Sequence, residues 1–345
     1  MPYQVTIQPS GHQFTVEDHE TILEAALREG FSLPYGCRNG ACGSCKGRVL
    51  SGQLDYGVYQ PNALKDAEKA QGRALFCRAR PLSDLTIEAK EIGAAKDIVV
   101  KTLPCRVEKL EKRADNVMVM KIKLPANERL QFLAGQYIDF QLKDGKSRSY
   151  SLANPPHDGA LLELHIRHLP GGLFSDQVFS TLKERDILRL KGPLGSFFIR
   201  EDSDKPMIFI AGGTGFAPVK GMLEHAFAAH MDREMVLYWG VRSLKDLYMA
   251  ELPQQWVAEH PNFSFIPVLS NPEQGDPWQG RTGFVHEAVM ADFANLSGYQ
   301  VYACGTPIMV DRARDAFTQT RGLPEDAFFA DSFVYAADAE IAPAA

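Results

Sequence analysis

Cys37, Cys42, Cys45 and Cys77 are spaced C-x4-C-x2-C with a distant fourth cysteine, a pattern suited to holding a [2Fe-2S] cluster. Three thiolates must converge on a small anionic core while backbone N–H groups turn toward its sulfurs, so the loop between them must lack bulk. Gly36, Asn39, Gly40, Ala41, Gly43 and Ser44 meet that requirement, and the glycines also permit positive φ in a tight turn. Arg38 adds positive charge beside the anionic centre. A structural zinc site is the alternative, but four-cysteine zinc sites usually pair two C-x2-C knuckles, and only one such knuckle occurs here.

Arg148-Ser149-Tyr150-Ser151 resembles the R-x-Y-[ST] signature of the ferredoxin–NADP reductase superfamily, which implies bound FAD. In that reading Arg148 neutralises the flavin diphosphate. Tyr150, two positions on and on the same strand face, stacks on the isoalloxazine, and the Ser151 hydroxyl bonds the reactive ring nitrogen. Downstream, His165-Ile166-Arg167 is followed by Gly172-Leu173-Phe174-Ser175 at the start of a helix. The family resemblance makes that helix N-terminus a second diphosphate contact, as its free N–H groups favour. Asp176 in the same turn is unexpected beside a phosphate. Gly192-Pro193-Leu194-Gly195-Ser196-Phe197 matches the superfamily's G-P-x-G-x-[FY], although alone it reads as a type II turn.

Ala211-Gly212-Gly213-Thr214-Gly215-Phe216-Ala217-Pro218 follows an apolar run and opens a helix. Small residues there let the backbone approach a pyrophosphate, and Pro218 suits the first helical turn. The string is similar to the superfamily's G-G-T-G-x-[AT]-P, which implies that Thr214 faces a nicotinamide. Cys304-Gly305-Thr306-Pro307-Ile308-Met309 matches C-G-x-P-x-M, which implies that Cys304 lies beside the hydride-transfer position; on its own it would be a small buried hydrophobe. Relatives set an aromatic ring against the flavin face opposite the tyrosine, and in Asp331-Ser332-Phe333 the candidate is Phe333. Isolated, it would be core. Ser270-Asn271 with Glu273 and Asp276 nearby favours NADH over NADPH, whereas Arg242 and Ser243 argue the other way.

These residues need three kinds of scaffold. Residues 1–92 open with an alternating hairpin about Gly11, then a short amphipathic helix over 20–30, the cluster loop, and a last strand at 86–89. This stretch, with its Tyr35-Gly36-Cys37-Arg38 lead-in, resembles plant-type ferredoxins, which implies a β-grasp fold. Residues 93–101 read as a linker. Residues 102–202 alternate in short strands, for example 116–124, 136–142, 149–152 and 161–167, with a helix at 175–182, and suggest a small antiparallel FAD-binding barrel. Residues 203–335 change rhythm to strand and helix, with strands at 207–211, 235–239, 263–268 and 299–303 and a short last one at 327–330. Helices are expected near 218–230, 245–260, 285–292 and 307–321, making a doubly wound parallel sheet. The Ala-rich tail over 336–345 reads as disordered. Cys105 lies outside every motif and reads as a core or strand residue.

Bulk properties narrow the class. A chain of 345 residues with net charge −6 does not offer a nucleic-acid surface, and it has no apolar run of the roughly 20 residues that cross a bilayer. No secretory leader is evident at the N-terminus. Six cysteines, three of them within nine positions, fit a cytoplasmic metal-ligating protein better than a disulfide framework. Across nearly its whole length the chain resembles reductases with an N-terminal ferredoxin domain fused to FAD and NAD domains. The resemblance implies an oxidoreductase that takes electrons from NADH through FAD and a [2Fe-2S] cluster to a protein acceptor. Such enzymes serve ring-hydroxylating dioxygenases, multicomponent monooxygenases and deoxysugar biosynthesis, so the acceptor is expected to be a dehydratase or an oxygenase component. Ala211–Lys220, Leu133–Asp139, Arg148–Ser151 and Thr282–His286 read most like the deoxysugar members. A non-catalytic electron carrier or redox sensor is the reading from another class, and the retention of Arg148, Tyr150, Thr214 and Cys304 speaks against it.

Overall fold

The computed structural model describes residues 2–95, 98–142, 145–158 and 160–334. Contacts divide the chain into two compact units, residues 1–98 with 331–345, and residues 99–330. In the first, five strands form a mixed sheet in the order Gln13–Val16, Tyr3–Gln8, Leu85–Glu88, Lys46–Ser51 and Arg73–Leu75. The first two make the hairpin about Gly11, and Tyr3–Gln8 runs parallel to Leu85–Glu88. This is the β-grasp arrangement. Helix Ile22–Arg28 begins with a reciprocal cap, Thr21 accepting from the Glu24 backbone while the Glu24 carboxylate accepts from Thr21. Its buried face is Ile22, Leu23, Ala25 and Ala26. Of the linker, Gly93–Ala95 forms a single 3-10 turn, while positions 96 and 97 lie outside the described residues, as does the tail over 336–345.

The second unit holds both remaining folds. Six antiparallel strands run in the order Ser147–Ser151, Tyr137–Gln141, Ile187–Leu194, Lys101–Ala114, Val117–Lys123 and Leu162–Arg167. An antiparallel bridge from Leu152 to Leu164 joins the two ends and closes the barrel. Its core is Leu103, Val107, Met120, Ile122, Ile138, Phe140, Leu164 and Ile166 with their neighbours. Cys105 is buried in the longest strand, and burial pushes its thiol up to about 12. Gly192 and Pro193 lie inside a strand, so the turn falls only at Gly195, whose φ is 90°.

The parallel sheet follows, with Met207–Gly212 between Met235–Val241 and Gln300–Gly305, and Phe263–Leu269 beyond. Helices Phe216–Ala228, Glu251–Glu259, Val285–Asp292 and Pro307–Thr320 connect the strands or flank them. The stretch expected as one helix over 245–260 is divided into a 3-10 turn at Leu244–Asp246 and a helix at Glu251–Glu259. Ser243 and Asp246 cap the turn, and the chain then breaks so that Leu247 and Tyr248 are buried.

Candidate functional site: a paired-thiol loop and two nucleotide cradles

In the first unit the four cysteines form two couples. Cys37 is hydrogen-bonded to Cys42, and Cys45 to Cys77. The Cys37 backbone N–H also points at Cys42 Sγ, 3.3 Å away. In each couple one thiol is held down by its partner: Cys42 falls to about 6 through the Cys37 hydrogen bond, with Ser44 adding to it, and Cys77 is lowered through Cys45. Among the described residues no three ligating side chains gather about one point. Two couples are what a two-iron core requires, each metal taking two thiolates. Gly40 must be glycine: its φ is 81°, and a Cβ there would sit 2.8 Å from Arg78 Cγ. Asp331 is the unforeseen neighbour. Its carboxylate lies 3.4 Å from where a Gly36 Cβ would be, and burial, then the charge of Cys42, pushes it up to about 7. Phe333, two residues on, is half-buried.

In the second unit Arg148 and Tyr150 share one face of the edge strand Ser147–Ser151. The Tyr150 ring rests on Phe174 and Phe140, with centroids 5.5 and 6.0 Å away, and burial raises its hydroxyl. Ser149 donates to Asp139 at 2.6 Å, and Ser151 is buried. Several residues expected at the flavin have their side chains engaged elsewhere. Ile166 and Phe174 belong to the barrel core, and Leu173 is exposed. His165 is enclosed between Tyr248 Oη at 2.7 Å and Glu163 Oε1 at 3.0 Å. The Ser175 hydroxyl exchanges hydrogen bonds with Leu169 N and O at 3.1 and 3.0 Å. The Asp176 carboxylate turns back from the helix start to accept from Gly171 N–H and to pair with His168 Nε2, both at 2.9 Å. Gly172 is the N-cap and contributes no side-chain cap, and its own N–H is taken by Leu169 O at 2.8 Å, so the N–H groups the helix start offers begin at Leu173.

The glycine turn closes against the neighbouring strand. Ala211 pairs with Cys304, and a Cβ on Gly215 would lie 2.2 Å from the Cys304 carbonyl oxygen, so only glycine fits. Gly212 and Gly305 meet across the Met309 side chain. Thr214 and Cys304 are both buried, and Pro218 lies in the first turn of helix Phe216–Ala228. Arg167 Nη1 comes within 4.0 Å of a Cβ position on Gly213, bringing the barrel edge to the nucleotide turn. Trp239, absent from the sequence-based candidates, donates its indole N–H to Gly213 O at 2.9 Å and stacks on Phe216 at 4.0 Å. A second group also went unforeseen: Lys220 pairs with Glu163 at 3.2 Å and with Glu224 at 2.9 Å, and donates to Ala153 O at 3.1 Å. A lysine in the otherwise apolar run 216–223 was its one visible signal.

A 2Fe-2S iron-sulfur cluster binding domain matches residues 5–82, an oxidoreductase FAD-binding domain 104–199 and an oxidoreductase NAD-binding domain 209–315. The chain is 39% identical over 334 residues to the CDP-6-deoxy-L-threo-D-glycero-4-hexulose-3-dehydrase reductase of Yersinia pestis, covering 97% of this chain and 99% of that protein. It is equally 39% identical, over 344 residues, to the reductase component of phenol 2-monooxygenase from Pseudomonas sp. (strain CF600), covering 98% and 96%. The crystal structure of the Amycolatopsis reductase GcoB superposes with a TM-score of 0.76 at 35% identity, covering 96% of this chain and 98% of that one. No helix among the described residues is long and apolar enough to cross a membrane.

Proposed function

The chain belongs to the iron–sulfur flavoprotein reductases of the ferredoxin–NADP reductase superfamily, and from that premise we propose that its acceptor is a deoxyhexulose dehydrase of the kind named for the Yersinia relative. As a member it is an NAD(H)-dependent oxidoreductase that carries FAD and a [2Fe-2S] cluster and delivers electrons to a partner protein. When bound, the nicotinamide supplies an electron pair as hydride, the flavin divides the pair, and the cluster passes single electrons. The observations that carry the electron-transfer part of this reading are the Cys37 N–H pointing at Cys42 Sγ in the first unit and, separately, the abutment of Gly215 on Cys304 in the second; the acceptor rests on the likeness to the Yersinia relative.

The chain's own residues would hold and orient these groups. Arg148 would neutralise the FAD diphosphate together with the start of the helix after Gly172, Tyr150 and Ser151 would meet the flavin ring, and Thr214 and Cys304 would flank the nicotinamide. By the family resemblance Phe333 is the aromatic candidate at the flavin, and Phe333→Ala is expected to change NADH affinity and selectivity; unaltered stopped-flow FAD reduction would remove it from the site. Residues 1–92, 102–202 and 203–335 are assigned to the ferredoxin, flavin and nicotinamide domains, and the compartment to the cytoplasm, where ligand thiols stay reduced. NADH is the favoured donor. Ser243 is committed to Asp246 at 3.0 Å, Ser270 donates to Val241 O at 3.2 Å, and Lys245 is paired with Glu273, so these groups are engaged away from a ribose phosphate.

An oxygenase component is the second reading, supported by the equal identity to the phenol 2-monooxygenase reductase component. Reconstitution decides between them. NADH oxidation coupled to turnover of the dehydrase, but not of an oxygenase component, is expected; the reverse result transfers the chain to the oxygenase systems.

A further inference from the structure

Within the first unit a recess of about 310 Å³ opens beside the fourth cluster cysteine, with Cys77 in its wall. Arg38, Arg78 and Arg80 line it together with His19. Two acids share the lining, and each is engaged locally. Glu24 closes the helix cap with Thr21, while Asp55 accepts from the Gly57 N–H at 3.0 Å and lies across a short ladder from Arg80.

The backbone is built to present guanidinium groups here. Arg38 adopts φ of 59°, in the left-handed region that disfavours a side-chain-bearing residue. Arg78 lies over Gly40, in space a Cβ would occupy, with its Nε donating to Val58 O at 2.9 Å. At Gly36 the same loop is closed by the buried Asp331. At Cys77 the recess opens it.

Electron transfer weakens steeply with distance, so an acceptor must bring its own redox centre close to the cluster. A concave surface walled by a cluster ligand allows that approach. Guanidinium forks match carboxylates in planar, bidentate geometry, and charges at such a rim govern encounter and orientation. We propose that this recess is the docking point of the protein acceptor and that the acceptor presents carboxylate side chains to it. The inference rests on the electron-transfer reading above. Each encounter oxidises the reduced cluster by one electron and reduces the partner by one, so one NADH serves two encounters. The net charge of −6 favours a basic partner, so the local arginines and the global charge call for opposite probes.

The test uses the holoenzyme with cytochrome b5, whose haem edge is ringed by carboxylates, and cytochrome c, ringed by lysines. Binding is measured by calorimetry on the oxidised proteins and reduction is followed with NADH. The wild type is expected to bind cytochrome b5 more tightly than cytochrome c. Arg80→Glu, and independently Val58→Glu at the exposed mouth, should each weaken cytochrome b5 binding and slow its reduction by about tenfold at low ionic strength. Added salt should shrink the difference, while the reduced-cluster EPR signal and NADH–ferricyanide turnover stay at wild-type level. Tighter binding of cytochrome c by the wild type, or unchanged cytochrome b5 binding in both variants, overturns the proposal. Failure of the underlying reading shows separately, as a cluster signal that NADH cannot raise before any partner is added.

Discussion

Gly215 is where residue type and proposed function are most tightly tied. With the Cys304 carbonyl oxygen 2.2 Å from its Cβ position, Gly215→Ala must force apart the two turns proposed to form the nicotinamide cradle. NADH reduction of the flavin is expected to fall at least a hundredfold, roughly 3 kcal/mol of barrier. The dithionite-reduced cluster signal should persist, because its ligands lie in the other unit. Equal loss of both signals would mean global misfolding and would remove the local explanation. Trp239 acts more mildly. Trp239→Phe keeps the stack on Phe216 but deletes the donor to Gly213 O, a loss of about 1 kcal/mol at a part-buried group. The expected signature is a several-fold higher KM for NADH with FAD content unchanged, measured by steady-state turnover and flavin absorbance.

At the scale of elements, helix Ile22–Arg28 is tied to the segment carrying Cys77, the proposed fourth ligand. Ile22 N donates to Ala79 O at 3.0 Å and Leu23 N to Phe76 O at 2.9 Å, on either side of Cys77. Thr21→Ala removes the cap at that end, costing about 1 kcal/mol, and should accelerate cluster loss to a chelator, followed by visible absorbance. A rate equal to wild type would show that the helix does not hold Cys77 in place. The helix, its glycine stop and the cluster loop were all legible in the sequence, because amphipathic face, closing glycine and cysteine spacing are local signals; the Thr21 cap was not. So were the nucleotide turns, where chemistry forces small residues after an apolar strand. What escaped was set by tertiary contact. Strand Lys101–Ala114 hides its alternation, with Leu103, Cys105 and Val107 inward, Pro104 and Arg106 between them and a mostly charged stretch from Glu108 on. The helix expected across 245–260 breaks because Tyr248 is buried against His165, a partner 83 residues away. Trp239, Glu163 and Lys220 are ordinary residue types whose roles arise only when barrel and sheet meet.

Across the second unit, barrel and parallel sheet are linked by a chain of buried polar groups. Lys220 on helix Phe216–Ala228 meets Glu163 on strand Leu162–Arg167, Glu163 meets His165, and His165 meets Tyr248. Burial works against the charge on Glu163, but His165, Lys220 and Lys121 together outweigh it and hold the carboxyl far below its usual range. Burial lowers His165 despite Glu163, so the folded protein keeps the imidazole neutral. Both groups bind protons more readily unfolded than folded. Their stabilisation is therefore present above the unfolded pKa values and is lost as pH falls, first below about 6.5 for His165 and then below about 4.5 for Glu163. Glu224, pushed up by burial, works in the opposite direction above 4.5 and so offsets part of the earlier loss. Stability of this unit should thus decline by about 1 kcal/mol per pH unit once His165 begins to titrate, read as a falling calorimetric midpoint between pH 7 and 5.5. His165→Asn should flatten that slope, and an unchanged slope would assign it to other groups. Lys220→Met, which leaves Glu163 without its buried cation, should cost about 3–5 kcal/mol near neutral pH. Because the pair joins the flavin-binding and nicotinamide-binding halves, the variant should also slow hydride transfer in whatever fraction remains folded. A destabilised enzyme with normal single-turnover FAD reduction would confine the network to holding the fold.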